Sequence, residues 1–306
     1  MNEKICKLIK YYFKFYKKKN VFILCFLIFL IFYHYSYLSK LDITIKSQNK
    51  KKIFSFWHPL EKIPGYICLC IKTWKKFLPQ YEIIILDYNG VKEYIGESLF
   101  NDIICKEMSL PIQADAIRVA LLNKYGGIWM DADTIITNGE FLNNLEKYEL
   151  SMFGRNNSQH IGFIFASQNS IIIREWLREI IHRVKSYRKF KNRILKVPWD
   201  YLGNSIINNL INSNRSNKFI RLDKDKMNVF PELEFFKNTS LNTFERYRLF
   251  YFKKRDPEIV LNNTKGIILL HNSWTPSKYK KLPEIEVLKE ENLISRLLSH
   301  IINIAL

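Results

Sequence analysis

The sequence predicts an α/β fold, and three observations lead to that class. Apolar strand-like runs alternate with amphipathic helices between residues 51 and 137, which is typical of sheets with parallel strands. Tyr81–Leu86 ("YEIIIL") is a β-branched run of the kind that forms a buried strand. The predicted strand Ile128–Met130 leads directly into two acidic residues, Asp131 and Asp133.

Each element follows from a local pattern. The helix over residues 111–125 has a proline near its start and Gly126-Gly127 as its stop. In chain order, the predicted elements are strand Lys51–Trp57, helix Ile67–Phe77, strand Tyr81–Leu86, helix Pro111–Tyr125, strands Ile128–Met130 and His160–Ser167, helix Ile171–Val184, strand Ile267–Leu270 and an amphipathic helix from Asn292.

Composition and charge exclude several classes of protein. The 306 residues are 47% apolar and 25% charged, which excludes a disordered chain, a collagen-like chain and a multi-span membrane bundle. The net charge is +19, of which residues 1–52 carry +10, from 12 Lys and two acidic residues. The other 254 residues carry only +9, which argues against a nucleic-acid-binding protein with a wholly positive surface.

The basic first segment contains a predicted membrane anchor. Residues 21–38 are apolar with an aromatic edge, and about 18 residues is the lower limit for a spanning helix. A cleaved signal peptide fits less well, because no small-residue cleavage site follows. We therefore predict a single-pass membrane protein. The domain that follows the anchor is expected at the cytoplasmic face of a bacterial inner membrane or, alternatively, in the lumen of a Golgi membrane.

Four charged residues form the predicted chemical centre. Asp115 and Arg118 are three apart on a helix and share a face, while Asp131 and Asp133 point to the same side at a strand end. Paired carboxylates at the carboxyl edge of a parallel sheet are costly unless a divalent cation bridges them. Such a cation could neutralise the diphosphate of a nucleotide-sugar, and Asp115 with Arg118 could hold sugar hydroxyls.

These residues resemble a known family. The pattern Asp-x-x-Arg, Leu-x-x-x-Gly-Gly, strand and Asp-x-Asp is similar to that of glycosyltransferase family 32 and of the bacterial capsular polysaccharide synthesis proteins. The same spacing resembles that of the large clostridial glucosylating toxins. The matching residues are Asp115, Arg118, Leu122, Gly126, Gly127, Asp131 and Asp133.

The resemblance implies a GT-A fold with a mixed sheet, a Mn²⁺ or Mg²⁺ ion and transfer of a sugar from a nucleotide-sugar, preferably a UDP-sugar, with retention at the anomeric carbon. It implies Trp57 near the donor base. His271-Asn272-Ser273-Trp274 resembles the family's C-terminal motif, in which a His or Ser completes the metal shell and a Trp covers the donor phosphates. Site residues implied on this basis are the metal ligands Asp131, Asp133 and His271, and the donor-binding residues Ser273 and Trp274.

Two further features stay open. Asp200 is a candidate catalytic residue facing the acceptor, and a helix cap is the alternative reading. Arg183–Lys196 packs seven cations into 14 residues, either as a solvated helix face or as a membrane-facing patch near a lipid-linked acceptor.

The sequence thus predicts a metal-dependent glycosyltransferase of capsular or surface polysaccharide or lipid-linked oligosaccharide synthesis. Its expected partners are a nucleotide-sugar donor, a glycan or lipid-linked acceptor and the membrane, without nucleic acid. The alternatives are a haloacid-dehalogenase-type phosphatase with Asp131 as nucleophile, and a non-catalytic anchored scaffold. The predicted domains are a basic segment 1–20, an anchor 21–38, a linker 39–52, a GT-A domain 53–285 and a C-terminal helix 286–306.

Overall fold

The computed structural model describes residues 50–155, 158–190, 197–213 and 219–303. The described residues from Lys51 onward belong to one compact unit. Its strands are β1 (Lys51–Phe56), β2 (Tyr81–Leu86), β3 (Gly127–Met130), β4 (Thr134–Ile136), β5 (Leu150–Arg155), β6 (Ser158–Ala166), β7 (Phe219–Asp223) and β8 (Ile267–Leu269).

Helices pack against both faces of the main sheet, and several short helices follow in the last third of the sequence. They are α1 (Gly65–Phe77), α2 (Tyr88–Ile95), α3 (Glu97–Ile103), α4 (Leu110–Tyr125), α5 (Ile171–Phe190), α6 (Asn204–Ser213), α7 (Pro231–Phe235), α8 (Thr243–Tyr251), α9 (Glu258–Leu261), α10 (Ser277–Lys280), α11 (Glu284–Val287) and α12 (Leu293–Asn303).

The central sheet is mixed, with strand order β2-β1-β3-β6-β5-β7. β1 pairs in parallel with both β2 and β3, whereas β6 is antiparallel to β3 and β5. Alternation along the strands sends neighbouring side chains to opposite faces. Ile53 and Ile128 therefore join the core that contains α1 and α12, while Phe54 and Trp129 join the core beneath α4 and α5.

A second, two-stranded sheet forms immediately after the acidic pair. β4 starts at Thr134 and pairs antiparallel with β8, with Thr134 opposite Leu269. This pairing brings the segment that follows β8 next to the residues that precede β4. Residues more than 130 positions apart in the sequence thereby meet at one edge of the main sheet.

The predicted mixed α/β architecture is confirmed, and the strands and helices predicted from residue 51 onward are present. β2 has the predicted bounds, and α4 begins one residue before the predicted start. The pattern did not indicate α2 and α3, although Asp87 caps α2 by accepting a hydrogen bond from the Gly90 N–H at 3.0 Å.

The prediction of a single-pass membrane protein requires correction. Among the described residues, no helix combines the length and the apolar character needed to cross a bilayer. The predicted anchor, residues 21–38, lies outside the described residues, as do the basic segment before it and nearly all of the linker.

The basic run Arg183–Lys196, which the sequence left open as a solvated helix face or a membrane-facing patch, makes structural contacts where it is described. Arg188, near the end of α5, donates hydrogen bonds to the carbonyls of Asn101 and Ile104, each at 2.6 Å. These carbonyls lie at the C-terminal end of α3, where helix carbonyls lack intrahelical partners. Residues 191–196 of the run lie outside the described part of the chain.

Candidate active site

Helix α4 carries Asp115 and Arg118 on a buried face. Arg118 Nη2 lies 3.0 Å from Asp115 Oδ1, and each side chain is less than a tenth exposed. Arg118 Nη1 also donates to the carbonyl of Ile161 on β6, and the guanidinium lies over the Trp129 ring, 5.0 Å from its centroid. Burial raises the pKa of Asp115 to about 7, against the opposing charge of Arg118. Arg118 is therefore a fixed charge that ties α4 to β3 and β6.

Asp131 is the more open of the two strand-end carboxylates, with a side chain 37% exposed. Its Oδ1 accepts a hydrogen bond from Trp129 Nε1 at 2.8 Å and lies 3.4 Å from Arg118 Nη1. Its backbone N–H donates to the Gly162 carbonyl at 2.8 Å. Within the described chain no hydrogen bond involves Oδ2, so one oxygen of an oriented carboxylate remains available.

Asp133 is oriented by a hydrogen bond from a residue 139 positions further along the chain. Its Oδ2 accepts a hydrogen bond from the backbone N–H of Asn272 at 2.7 Å. Asn272 is braced in turn, because Tyr66 Oη donates to its Oδ1 at 2.6 Å and Lys280 Nζ donates to its carbonyl at 2.9 Å. Burial, and then the charge of Asp131, raise the pKa of Asp133 to about 7.

The predicted C-terminal motif lies beside this pair. The His271 ring stacks on Phe230 at 5.4 Å and 9°, and its centroid is 4.0 Å from that of Trp274. Burial, and then His160, lower the pKa of His271 to about 4, so the ring is neutral near pH 7. Ser273 is exposed and Trp274 is half-buried.

Trp57 occupies the same edge of the sheet. It follows β1 as Asp131 follows β3, and β1 and β3 are adjacent parallel strands. The backbone N–H of Trp57 donates to the Leu86 carbonyl at 2.9 Å, and the half-buried indole ring packs against the core. The position suits a group that contacts a ligand at this edge.

Asp200 lies on the Asp115 side of the site. Its carbonyl accepts hydrogen bonds from the Gly203 N–H at 3.0 Å and from Ser205 Oγ at 2.8 Å, and its charge contributes to the raised pKa of Asp115. Gly203 packs tightly on Asp115, since a Cβ there would lie 2.4 Å from Asp115 Oδ2. The preceding residue, Trp199, is 71% exposed.

The structure therefore assembles the predicted residues in two connected groups. One comprises Asp115, Arg118 and Asp131, with Asp200 beside Asp115. The other comprises Asp133 and the segment His271–Trp274. Two residues of the site were not predicted from the sequence. Asn272 is the hydrogen-bond partner of Asp133, and His160 lies close enough to Asp131 to interact with its charge. A histidine two positions before a glycine in a strand was the available signal for His160.

The acidic pair fits part of a divalent-cation site. Asp133 is half-buried and has a raised pKa beside Asp131, and a cation would relieve the repulsion between the two carboxylates. Mg²⁺ is commonly held by one or two carboxylates, with phosphates of the substrate and water supplying the other ligands. Across the described residues, no three His, Cys, Asp or Glu side chains converge to hold an ion. His271 is thus not gathered with the two carboxylates into a ligand set.

Comparison with known proteins identifies one family. The chain matches the family described as "Capsular polysaccharide synthesis protein" over residues 35–207, more than half of its length. This range includes α4, β3, the acidic pair and His160. No curated protein matches the sequence at a significant level.

Solved structures show weak similarity. One titled "PaToxG Glycosyltransferase" is 18% identical, with a TM-score of 0.37 over 57% of this chain and 76% of that chain. The apo-form glycosyltransferase GlyE of Streptococcus pneumoniae TIGR4 is 13% identical, with a TM-score of 0.36 over 83% of this chain and 64% of that one. A second GlyE structure is 12% identical, with a TM-score of 0.35 over 79% and 63%. Scores this low do not establish a common fold.

Proposed function

The chain belongs to the capsular polysaccharide synthesis protein family, and from this premise we propose that it is a glycosyltransferase that moves a sugar from a nucleotide-sugar to a glycan. The observation that carries the proposal is the chain of contacts from buried Asp115 through buried Arg118 to the more open Asp131, with Asp133 beside it. Such a cluster at the carboxyl edge of parallel strands suits an anionic ligand with a cation.

We propose a GT-A arrangement, in which the donor lies along the edge formed by the ends of β1 and β3. Trp57 would contact the base and Trp274 the diphosphate. Asp131 and Asp133 would hold Mn²⁺ or Mg²⁺, which supplies electrostatic stabilisation of the leaving nucleoside diphosphate when bound. The family resemblance favours UDP as the nucleotide of the donor. It also favours transfer with retention at the anomeric carbon.

The protein's own residues have separable roles in this proposal. Arg118 orients Asp131, because it binds one carboxylate oxygen and leaves the other open. The Asn272 N–H fixes Asp133, so that both carboxylates are set before a ligand arrives. Asp200, beside Asp115, marks the side on which we place the acceptor.

The phosphatase alternative gains nothing from this geometry. A nucleophilic Asp131 would attack through its open Oδ2, and a cation-binding Asp131 would use the same oxygen, so the contacts of Oδ1 do not distinguish the two reactions. No observation on the described chain favours that reaction over sugar transfer.

Nucleotide release by the purified full-length chain tests the proposal. A panel of nucleotide-sugars is offered with Mn²⁺, then with a chelator, to the wild type and to Asp133→Asn. We expect release from one donor, lost with chelator and reduced at least about 100-fold in the variant, because the cation's contribution is worth several kcal/mol.

The matched control is Asp102→Asn, which removes a surface carboxylate that pairs with Lys185 at 3.5 Å. This variant should release nucleotide at the wild-type rate. Release that survives chelation and Asp133→Asn alike would overturn the metal-dependent mechanism. Release of inorganic phosphate from simple phosphoesters, without nucleotide-sugar turnover, would instead establish a phosphatase.

A further inference from the structure

His160 on β6 is a histidine whose tautomer is set by a local hydrogen bond. Its Nδ1 accepts from the backbone N–H of Gly162 at 3.2 Å. A nitrogen that accepts a hydrogen bond carries a lone pair, so the single proton of the neutral imidazole resides on Nε2. The ring therefore presents an N–H donor at Nε2 and has no acceptor left.

The ring lies next to the open carboxylate of the site. A Cβ built on Gly162 would lie 2.7 Å from His160 Cε1 and 2.9 Å from Asp131 Oδ2. Cε1 and, at 3.1 Å, Nδ1 of His160 thus flank the same point as the uncommitted oxygen of Asp131. A side chain at position 162 would require at least one of these two groups to shift.

Phe230 supports the ring from another side. The His160 and Phe230 centroids are 5.2 Å apart in an edge-to-face arrangement, and Phe230 stacks on His271 beyond it. Phe230 and the Gly162 N–H thus hold the ring in one orientation, with Nδ1 as an acceptor and Nε2 as the donor.

The Nε2–H has no partner within the described chain. No hydrogen bond or ion pair involves it there, yet it is not among the buried polar atoms that lack a partner, and the residue is half-buried. Nε2 therefore retains some solvent-accessible surface. A pure N–H donor suits a ligand atom that only accepts, and phosphate oxygens are such atoms.

We propose that His160 is a further substrate-contacting residue, whose Nε2–H donates a hydrogen bond to a phosphate oxygen of the nucleotide-sugar bound at Asp131 and Asp133. The inference rests on the proposed function and adds a phosphate-binding residue to it.

Two isosteric substitutions separate the roles of the two ring nitrogens. In His160→Asn the amide oxygen can replace Nδ1 as the acceptor for Gly162, but the Nε2 donor is lost. In His160→Gln the amide nitrogen can replace Nε2, but the acceptor for Gly162 is lost. The probe is UDP with Mn²⁺, and its Kd is measured by calorimetry with the full-length chain, alongside the thermal midpoint.

We expect His160→Asn to weaken UDP binding about 10- to 100-fold at an unchanged thermal midpoint, since a hydrogen bond to a charged group accounts for that factor. His160→Gln should bind UDP within about threefold of wild type. His182→Asn, which changes an exposed histidine of α5, is the matched control and should leave UDP binding unchanged.

The reverse pattern, with Asn tolerated and Gln impaired, would overturn the proposal and assign His160 a structural task through Nδ1. Loss of folding in both variants would do the same. If the wild type binds UDP and His160→Asn binds it equally well, the inference on His160 fails while the proposed function stands. If the wild type binds none of UDP, GDP, ADP, CDP or TDP, the proposed function itself fails.

Discussion

At the scale of single residues, Arg118 shows how one guanidinium organises the candidate site. Its two terminal nitrogens contact Asp115, Asp131 and the carbonyl of Ile161, which a lysine ammonium cannot reproduce with one compact charge. We therefore expect Arg118→Lys to lower the rate of nucleotide release at least about tenfold. Arg178→Lys, at a surface pair with Glu175, is the control and should retain the wild-type rate. An unchanged rate in Arg118→Lys would mean that charge alone suffices at this position.

Glu232 is a buried carboxyl group outside the candidate site. Its Oε2 accepts a hydrogen bond from Tyr251 Oη at 3.4 Å, and its Oε1 has no partner among the described residues. Burial raises the pKa of Glu232 from 4.5 to about 8. The folded state therefore binds this proton more tightly than the unfolded state does. The resulting stabilisation is complete below about pH 4.5 and is lost as the pH rises through about 8.

This sign gives a test by substitution. Each tenfold difference in proton affinity is worth about 1.4 kcal/mol. As the pH rises from 5 to 9, the free energy of unfolding of Glu232→Gln should therefore increase relative to that of wild type by on the order of 2–4 kcal/mol. Urea unfolding at several pH values measures this difference. Glu234→Gln, an exposed neighbour paired with Lys237, should show no such trend. A constant difference between Glu232→Gln and wild type across this range would show that Glu232 ionises normally.

At the scale of the elements, the start of β3 depends on glycine for two reasons. Gly127 has φ +92°, a conformation that L side chains rarely adopt, and a Cβ there would lie 2.6 Å from the Lys52 carbonyl oxygen on β1. Gly96 has a similar φ of +90° but nothing within 4 Å of its Cβ position. The two glycines therefore separate backbone strain from a clash between strands.

We expect Gly96→Ala to cost about 1–2 kcal/mol, as strain at a positive φ alone requires. Gly127→Ala should cost clearly more, by about 1–3 kcal/mol, because β1 and β3 must also move apart. Chemical denaturation of both variants measures the two values. Equal losses would mean that the β1–β3 spacing yields without cost.

Helix α3 ends at carbonyls that α5 satisfies through Arg188. Arg188→Ala leaves the Asn101 and Ile104 carbonyls without this donor, so we expect a loss of about 1–3 kcal/mol in the free energy of unfolding. Lys189→Ala, at the next position, should change stability by less than about 0.5 kcal/mol. Equal effects of the two substitutions would mean that Arg188 adds no stability through these hydrogen bonds. It would then be part of a solvated basic helix face, as the charge pattern alone suggests.

Sequence patterns reveal elements whose signal is local. The helix α4 has its proline near the start and its glycines at the end, and β2 is a continuous apolar run, so both were predictable. β4 and β8 have three residues each and are defined by pairing with one another across the chain. Three residues carry no periodicity, which is why the second sheet was not predicted as a sheet.

The same distinction applies to the site. Asp131 and Asp133 were predictable because two carboxylates after a strand form a side-chain pattern. The donor that holds Asp133 is the backbone N–H of Asn272, 139 positions away, and a backbone group has no residue-specific signature. His160 was visible as a residue, but its closeness to Asp131 depends on the antiparallel pairing of β3 and β6.

At the scale of the whole molecule, the C-terminal helix and the acidic pair are connected through α1. α12 packs its apolar face into the core that contains α1, and Lys76 of α1 donates to the Ile301 carbonyl at 2.8 Å. Tyr66 of α1 donates to Asn272, whose N–H holds Asp133. The end of the chain therefore supports the helix that supports the site.

Leu297 tests whether α12 is part of the main folding unit. It is fully buried on the inner face of α12, so Leu297→Ala should cost about 2–5 kcal/mol through lost burial and a residual cavity. Ile285→Ala, at a side chain 61% exposed, should stay within about 0.5 kcal/mol of wild type. Both values come from urea unfolding followed by tryptophan fluorescence, which also reports whether the transition stays single.

If Leu297→Ala leaves the main transition unchanged and adds a separate early one, α12 unfolds independently, and a domain boundary near residue 285 is correct. A single transition at a lower midpoint would instead mean that the core, α12 and the braced Asp133 fold as one unit.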